Sequence, residues 1–239
     1  MLILAFETTA KAGSVALLED GKLLAESYQN TGLTHSQTLM VMAEDLLKQC
    51  GKNVQDVTAV AVAEGPGSFT GVRIGVAAAK GFAWGGKLPC YGVSTLEAMA
   101  ENFGAWQGYV CPCMDARRSQ VYNALFYVNQ GELERVSPDR AIALFDLAEE
   151  LKRLEGPIFL VGDGAALAHK TLGDAIPNLV LPPEHRQHQR SAGVALAAAK
   201  KQAAGESGDG STLTPNYLRL SQAERERNEK LKVTKICNL

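Results

Sequence analysis

Apolar and polar positions along this chain change period several times, and each change marks an element. Leu2-Ile3-Leu4-Ala5-Phe6 is a continuous apolar run, as expected of a strand covered on both faces, and it ends at Glu7-Thr8-Thr9. Ser14 to Glu19 reads as a second strand, Asp20-Gly21 as a two-residue hairpin turn, and Lys22 to Tyr28 as a third strand. Over Ser36–Cys50 the period lengthens: Leu39, Met42, Ala43, Leu46, Leu47 and Cys50 form one helical face, Val41 lies opposite, and Gly51 is placed to end the helix. A β-branched strand, Val57 to Val62, then runs into Gly65-Pro66-Gly67. A helix over Val72–Trp84 follows, with Ser68 or Thr70 as N-cap. A strand near Leu88 to Val93 and a helix from Thr95, stopped by Gly104, complete the first half.

The second half repeats that order. Strands are predicted at Tyr109–Met114, Gln120–Val128 and Glu132–Val136, separated by turns at Asp115-Ala116-Arg117-Arg118 and Asn129-Gln130-Gly131. A helix over Leu144–Leu154, a strand at Ile158–Val161, a turn at Gly162-Asp163-Gly164 and a helix over Ala165–Leu172 follow. A short strand, Leu179–Leu181, precedes an alanine-rich helix capped by Ser191 and running to Ala204. Gly205 to Ser211 has the composition of a flexible loop, and Pro215-Asn216-Tyr217-Leu218-Arg219 leads into a charged helix over Gln222–Lys232. Three meandering strands followed by alternating helices and strands, twice over, predict an α/β fold. The expected architecture is two tandem ribonuclease H-like domains of the actin and Hsp70 kind, residues 1–105 and 106–239, meeting near Asn102–Gly108.

Charge alters this picture little. With 24 basic and 26 acidic residues in 239, no broad field draws in RNA or an anionic membrane, so any nucleic-acid role must be local or shared. Met1 leads straight into a strand, with no basic leader and no long apolar segment, so neither a signal peptide nor a membrane span is expected. With five cysteines, an odd number, the expectation is a cytoplasmic, reducing location.

Candidate chemistry centres on the glycine turn. A strand, a tight turn and a helix N-terminus can cradle an anion, but the lysine spacing of a phosphate loop is absent. Tyr91-Gly92-Val93 also ends the next strand without the acid that would hold a ribose. Gly71, Gly75 and Ala79, with Ala78 and Phe82 beside them, form a small-residue stripe at four-residue spacing. It permits close helix packing, either within one subunit or between two. The histidines, His35, His169, His185 and His188, have no metal-binding spacing, and Cys111 and Cys113 read as core thiols. Glu7, Glu64 and Asp115 stand at predicted strand ends. There they could serve a metal-nucleotide or act as a base, but turn capping or pairing with Arg73, Arg117 or Arg118 is the favoured role. No catalytic residue, metal site or cofactor is predicted.

Several segments resemble the bacterial TsaB (YeaZ) family. They are Gly65–Gly75 with Ala79-Lys80-Gly81, Leu4–Thr9, Thr34-His35-Ser36, Asp115–Arg118 with Val121-Tyr122, and Pro215–Arg219. Glu7 stands where that family often has Asp. The resemblance implies a non-catalytic accessory subunit for threonylcarbamoyladenosine synthesis on tRNA, lacking the His-x-x-x-His pair of its catalytic relative TsaD. It implies a homodimer when alone, pairing with TsaD through the same helical surface, an ATPase partner TsaE, and tRNA met only within the complex. TsaD would transfer the threonylcarbamoyl group to the adenosine beside the anticodon of ANN-reading tRNAs. The implied seam comprises Leu39, Val41, Met42, Gly71, Val72, Gly75, Ala78, Ala79 and Phe82. The alternatives are an autonomous ATPase or small-molecule kinase using Glu7 and Gly162-Asp163-Gly164, and a direct tRNA-binding module using Arg117, Arg118 and the Arg225–Lys235 segment.

Overall fold

The computed structural model describes residues 1–219; the Gln222–Lys232 and Arg225–Lys235 segments lie outside them. The first half comprises β1 (Leu2–Glu7), β2 (Gly13–Glu19), β3 (Lys22–Gln29), α1 (His35–Gln49), β4 (Ala59–Gly65), α2 (Phe69–Gly86), β5 (Cys90–Ser94) and α3 (Thr95–Glu101). Its sheet has the order β3-β2-β1-β4-β5. The hairpin strands pair antiparallel, while β1, β4 and β5 run parallel. The second half comprises β6 (Gly108–Asp115), β7 (Gln120–Asn123), β8 (Phe126–Asn129), β9 (Glu132–Arg135), β10 (Arg140–Ala143), α4 (Leu144–Leu151), β11 (Ile158–Val161), α5 (Ala165–Leu172), β12 (Leu179–Val180), α6 (Glu184–Gln187) and α7 (Ser191–Ala203). Here β6, β11 and β12 run parallel, with β7 and β8 antiparallel beside β6. Two sheets of the expected ribonuclease H-like kind are therefore present.

The pleat of β1 explains how its unbroken apolar run is used. Leu4 and Phe6 point with Val60 and Val62 into a core shared with α1 and α2. Ile3 and Ala5 point the other way, with Ala59, Ala61 and Ala63, onto Val194, Ala195, Ala197 and Ala198 of α7. Alanines on both partners let α7 approach the sheet closely. Residues 2–94 thus supply the first sheet and 108–180 the second, while α7 returns from the second half to cover the first. Gly193 makes the return possible, because a Cβ there would overlap the Ala98 carbonyl of α3. α3 lies between the sheets: Leu96, Met99 and Ala100 join Val110, Met114 and Phe126 of the second core.

Three expectations change. Ser191 is not the cap of α7 but its first residue; its amide donates to Ser14 Oγ at 2.8 Å, and the Ala192 amide donates to Glu26 Oε1 at 3.0 Å. A carboxylate from β3, also bonded by Arg190 Nε at 2.8 Å, therefore closes the helix N-terminus. The strand expected over Gln120–Val128 breaks into β7 and β8 opposite Cys111-Pro112, because Pro112 has no amide hydrogen to continue the ladder. Asn123 fills the break, its Nδ2 donating to the carbonyls of Pro112 and Ala124 at 2.9 and 3.0 Å. The third change is an edge strand, β10, whose four residues, Arg140-Ala141-Ile142-Ala143, are exposed or half-buried and too few to give a periodic signal.

The halves are clasped by Arg135, which binds Glu97 at 3.0 Å and Asp139 at 2.6 Å, and by Ser94 Oγ donating to Asp139 at 2.5 Å. Glu26 is buried and holds three groups of α7 or its approach. Glu26→Ala leaves Arg190, the Ser191 hydroxyl and the Ala192 amide without that partner, and is expected to cost about 2–4 kcal/mol in urea unfolding. Glu26→Gln, which keeps an acceptor, is expected to cost clearly less.

Candidate functional site

Strand β4 ends in Gly65, whose φ of +117° and contact with Asn216 both favour glycine: a Cβ there would lie 2.5 Å from the Asn216 carbonyl oxygen. Ser68 then caps α2, its Oγ accepting from the Gly71 amide at 3.4 Å. The Ser68 amide donates to the Thr9 carbonyl at 2.7 Å, and Thr8 Oγ1 donates to the Gly71 carbonyl at 2.7 Å. The turn therefore lies directly on the end of β1. A Cβ at Gly67 would strike Thr9, and one at Gly71 or Gly75 would strike Thr8.

This corrects the reading of the small-residue stripe as a seam between subunits. Gly71, Val72, Gly75 and Ala79 are buried against the chain's own sheet, as are Leu39 and Met42 of α1. Of the nine candidate seam residues, Val41 is 57 % exposed, and Ala78 and Phe82 are half-buried at the rim. Met40 and Val41 of α1 are exposed, Ile74, Ala78 and Phe82 of α2 pack in part on the core, and Trp84 is 87 % exposed. Ile74, Ala77 and Ala78 were visible in the sequence. The glycine spacing drew attention to the other side of the same helix.

Residues 206–219 run back over the first half. The Cys90 amide donates to the Gly208 carbonyl at 3.0 Å, the Asn216 amide to the Glu64 carbonyl at 2.7 Å, and Leu213 enters the α1–α2 core. Tyr217 stacks on Phe69 at 4.7 Å between ring centres, and its hydroxyl accepts from Arg73 Nε at 2.8 Å. Arg73 is thus committed to aromatic rings rather than to a carboxylate.

Between the halves lies a cleft of about 560 Å³, lined by Thr9, Lys11, Ser68, Thr70, Asp115, Arg117, Asp163 and Arg219 among others. Behind Thr9, Glu7 is wholly buried. Its Oε1 accepts from the Thr9 amide and hydroxyl, both at 2.6 Å, and its Oε2 has no partner among the described residues. Burial raises this carboxyl from 4.5 to about 7, chiefly by desolvating the charged form. Asp115 Oδ1 accepts from the Arg117 amide at 2.7 Å, so Glu7 and Asp115 both close turns, the role favoured for them. Glu64, also raised by burial, lies over Gly92 in a separate hollow of about 420 Å³. His35 Nε2 lies 2.8 Å from the Ala10 carbonyl oxygen. Cys111 and Cys113 are core thiols, with Sγ atoms 3.9 Å apart. Among the described residues no group of three or more His, Cys, Asp or Glu side chains is arranged to hold a metal ion, and no helix is long and apolar enough to cross a membrane.

The family model described as TsaD, tRNA N6-adenosine threonylcarbamoyltransferase, matches residues 29–227. The chain is 37 % identical to the tRNA threonylcarbamoyladenosine biosynthesis protein TsaB of Bacillus subtilis, over 94 % of this chain and 96 % of that one. It is 28 % identical to the solved YeaZ structure from Pseudomonas aeruginosa, with a TM-score of 0.73 over 91 % of this chain and 99 % of that one. Component A of the (R)-2-hydroxyglutaryl-CoA dehydratase of Acidaminococcus fermentans shares the fold alone, at 13 % identity and a TM-score of 0.51, over 85 % of this chain and 99 % of that one.

Two outcomes follow from the geometry. Gly75→Ala forces a methyl group against Thr8 Oγ1 and Val62, and is expected to cost about 1–3 kcal/mol in urea unfolding, with Gly75→Leu preventing native packing altogether. For Glu7, the folded pKa lies above the unfolded one, so the folded state binds the extra proton. Stability should therefore fall as pH rises from 4.5 to about 7, by roughly 3 kcal/mol. Glu7→Gln, followed by urea midpoints across that range, should flatten this slope.

Proposed function

The chain belongs to the TsaB family, and on that premise we propose that it is a non-catalytic subunit of the tRNA threonylcarbamoyladenosine-synthesising machinery, docking the catalytic subunit TsaD. One observation carries the reading. Met40 and Val41 of α1 and Trp84 of α2 are exposed large apolar side chains, and Ile74, Ala78 and Phe82 of α2 are covered only in part by the chain's own core. Val41 and Ala78 are small enough to let helices approach, while Trp84 can supply a large anchor at the edge. The chain also resembles the partner's own family: it is 29 % identical to a tRNA N6-adenosine threonylcarbamoyltransferase of Streptococcus pneumoniae, over 67 % of this chain and 53 % of that one. Two chains of one fold can present equivalent helical faces to each other, and so can two copies of this one. A homodimer in isolation, exchanged for TsaD on assembly, with TsaE as a further member and tRNA met in the complex, belongs to the same reading.

The absence of chemistry of its own is supported by the first turn of the cleft. Thr8 and Thr9 are fully buried; the Thr9 carbonyl is taken by the Ser68 amide, the Thr9 amide by Glu7 and the Thr8 hydroxyl by the Gly71 carbonyl, so no glycine admits a phosphate there. An autonomous ATPase or kinase would instead bind magnesium-ATP as the isolated chain, with loss on changing Glu7.

Val41→Asp places a charge in the middle of the proposed seam without touching the core. It is expected to weaken co-purification with TsaD and self-association by about tenfold or more, with an unchanged melting temperature. Undiminished capture of TsaD by this variant would sink the proposal.

A further inference from the structure

The loop between β6 and β7 has an unusual backbone. Arg117, Arg118 and Ser119 are three consecutive non-glycine residues with φ of 61°, 56° and 56°. L residues resist this left-handed region, and a run of three persists only where its surroundings hold it. They do so here. The Arg117 amide donates to Asp115 Oδ1 at 2.7 Å, the Gln120 amide to the Arg117 carbonyl at 3.2 Å, and the Leu144 amide to the Ser119 carbonyl at 3.1 Å. Arg219 closes the loop from outside by donating to the Ala116 carbonyl at 2.5 Å.

Both arginines of the loop are exposed. Ion pairs among the described residues occupy Arg135, Arg140 and Arg190, whereas neither Arg117 nor Arg118 makes a side-chain hydrogen bond or ion pair there. Beside them lies a mostly apolar hollow of about 620 Å³, floored by Leu144 and Thr171 and edged by Leu167 and Phe145. Leu167 is 42 % exposed and Phe145 is 76 % exposed, although Phe145 stands at the start of a helix whose other large residues are buried. Two acids are near: Asp115, which lines the hollow and whose Oδ1 accepts from the Arg117 amide, and Asp146, in the first turn of α4.

Guanidinium groups without a partner among the described residues, at the edge of a shelf that carries an exposed aromatic ring, form a site with two functions. The guanidiniums match phosphate oxygens, and the ring offers a platform for an unstacked base. An acidic peptide that carries an apolar side chain is the competing occupant, and its affinity is measured beside that of RNA. We propose that the Arg117–Arg118 loop and the Phe145 shelf bind a short unpaired stretch of RNA, with phosphate on the arginines and a base on Phe145. This inference goes beyond the docking reading and uses a different face of the molecule. The chain's nearly balanced charge requires that such binding be local and weak in isolation.

The test is fluorescence anisotropy of a labelled, unpaired ten-nucleotide RNA titrated with the full chain at low salt. It needs no partner, so its result is separate from that of α1–α2 docking. Saturable binding that weakens with added salt is expected. Phe145→Ala should weaken it about fivefold or more, Phe145→Tyr should retain it, and the double change R117Q and R118Q should remove most of it, all at unchanged melting temperature. The proposal is overturned by absence of saturable binding, by variants that bind as the parent does, by equal affinity for base-free polyphosphate, or by tighter binding of an acidic peptide than of the RNA.

Discussion

The contact on which much of the first half depends is the seating of α2 on the end of β1. Thr8 occupies the space that side chains at Gly71 and Gly75 would need, and its hydroxyl donates to the Gly71 carbonyl beside them. Backbone and small side chains meet here at a separation no larger residue would allow, so helix and sheet are fixed in one register. Two consequences reach the functional surface. The inner face of α2 is fully used, leaving only its outer face for a partner. The loop after β1 is also shut by the same contact, because the Thr9 carbonyl accepts from the Ser68 amide and the Thr9 amide and hydroxyl are turned to Glu7.

The two halves are joined by exchange more than by a linker. α7 leaves the second half to lie on the alanine face of the first sheet, and Glu26 of that sheet receives its N-terminus. α3 contributes apolar side chains to the second core while Gly193 of α7 packs against its backbone. Residues 206–219 then cross α2 and end at the Ala116 carbonyl, on the loop that carries Arg117 and Arg118. Groups on both sides of the cleft are consequently held by the same returning segment.

Much of this was legible in the amino-acid pattern. β11 and α5 begin and end where the periodicity places them, and the meander of three strands followed by alternating elements is present in the first half, whereas five strands precede the first helix of the second. The break between β7 and β8 was harder to read, because Pro112 acts from the neighbouring strand rather than from the broken one. The cap of α7 was misread for a similar reason: Ser191 has the right chemistry, but the acceptor comes from Glu26, 166 positions before Ala192. The seam residues show the same limit. A stripe of glycines states that something comes close without saying what, and here the neighbour is Thr8. Glu7 shows a further one: that its Oε2 is buried without a partner among the described residues follows from packing that no local pattern encodes.

What remains is the composition of α2 itself. Its inner positions, Val72, Val76, Ala79 and Ala83, are buried, and its outer positions include Ile74, Ala77, Ala78, Phe82 and Trp84. Between Phe69 and Gly86 only Arg73 and Lys80 carry charge, and both are turned to the returning segment: Arg73 to Tyr217, Lys80 to the Leu213 carbonyl. A helix apolar on every side is ordinarily covered on every side. In this chain α2 is covered on one side by its sheet and along an edge by residues 206–219, which leaves the face shared with Met40 and Val41 of α1 open. Single exposed apolar residues need no explanation, but a tryptophan 87 % exposed on so apolar a helix does. The proposed docking of a second helical face rests on that exposure of α2 and α1.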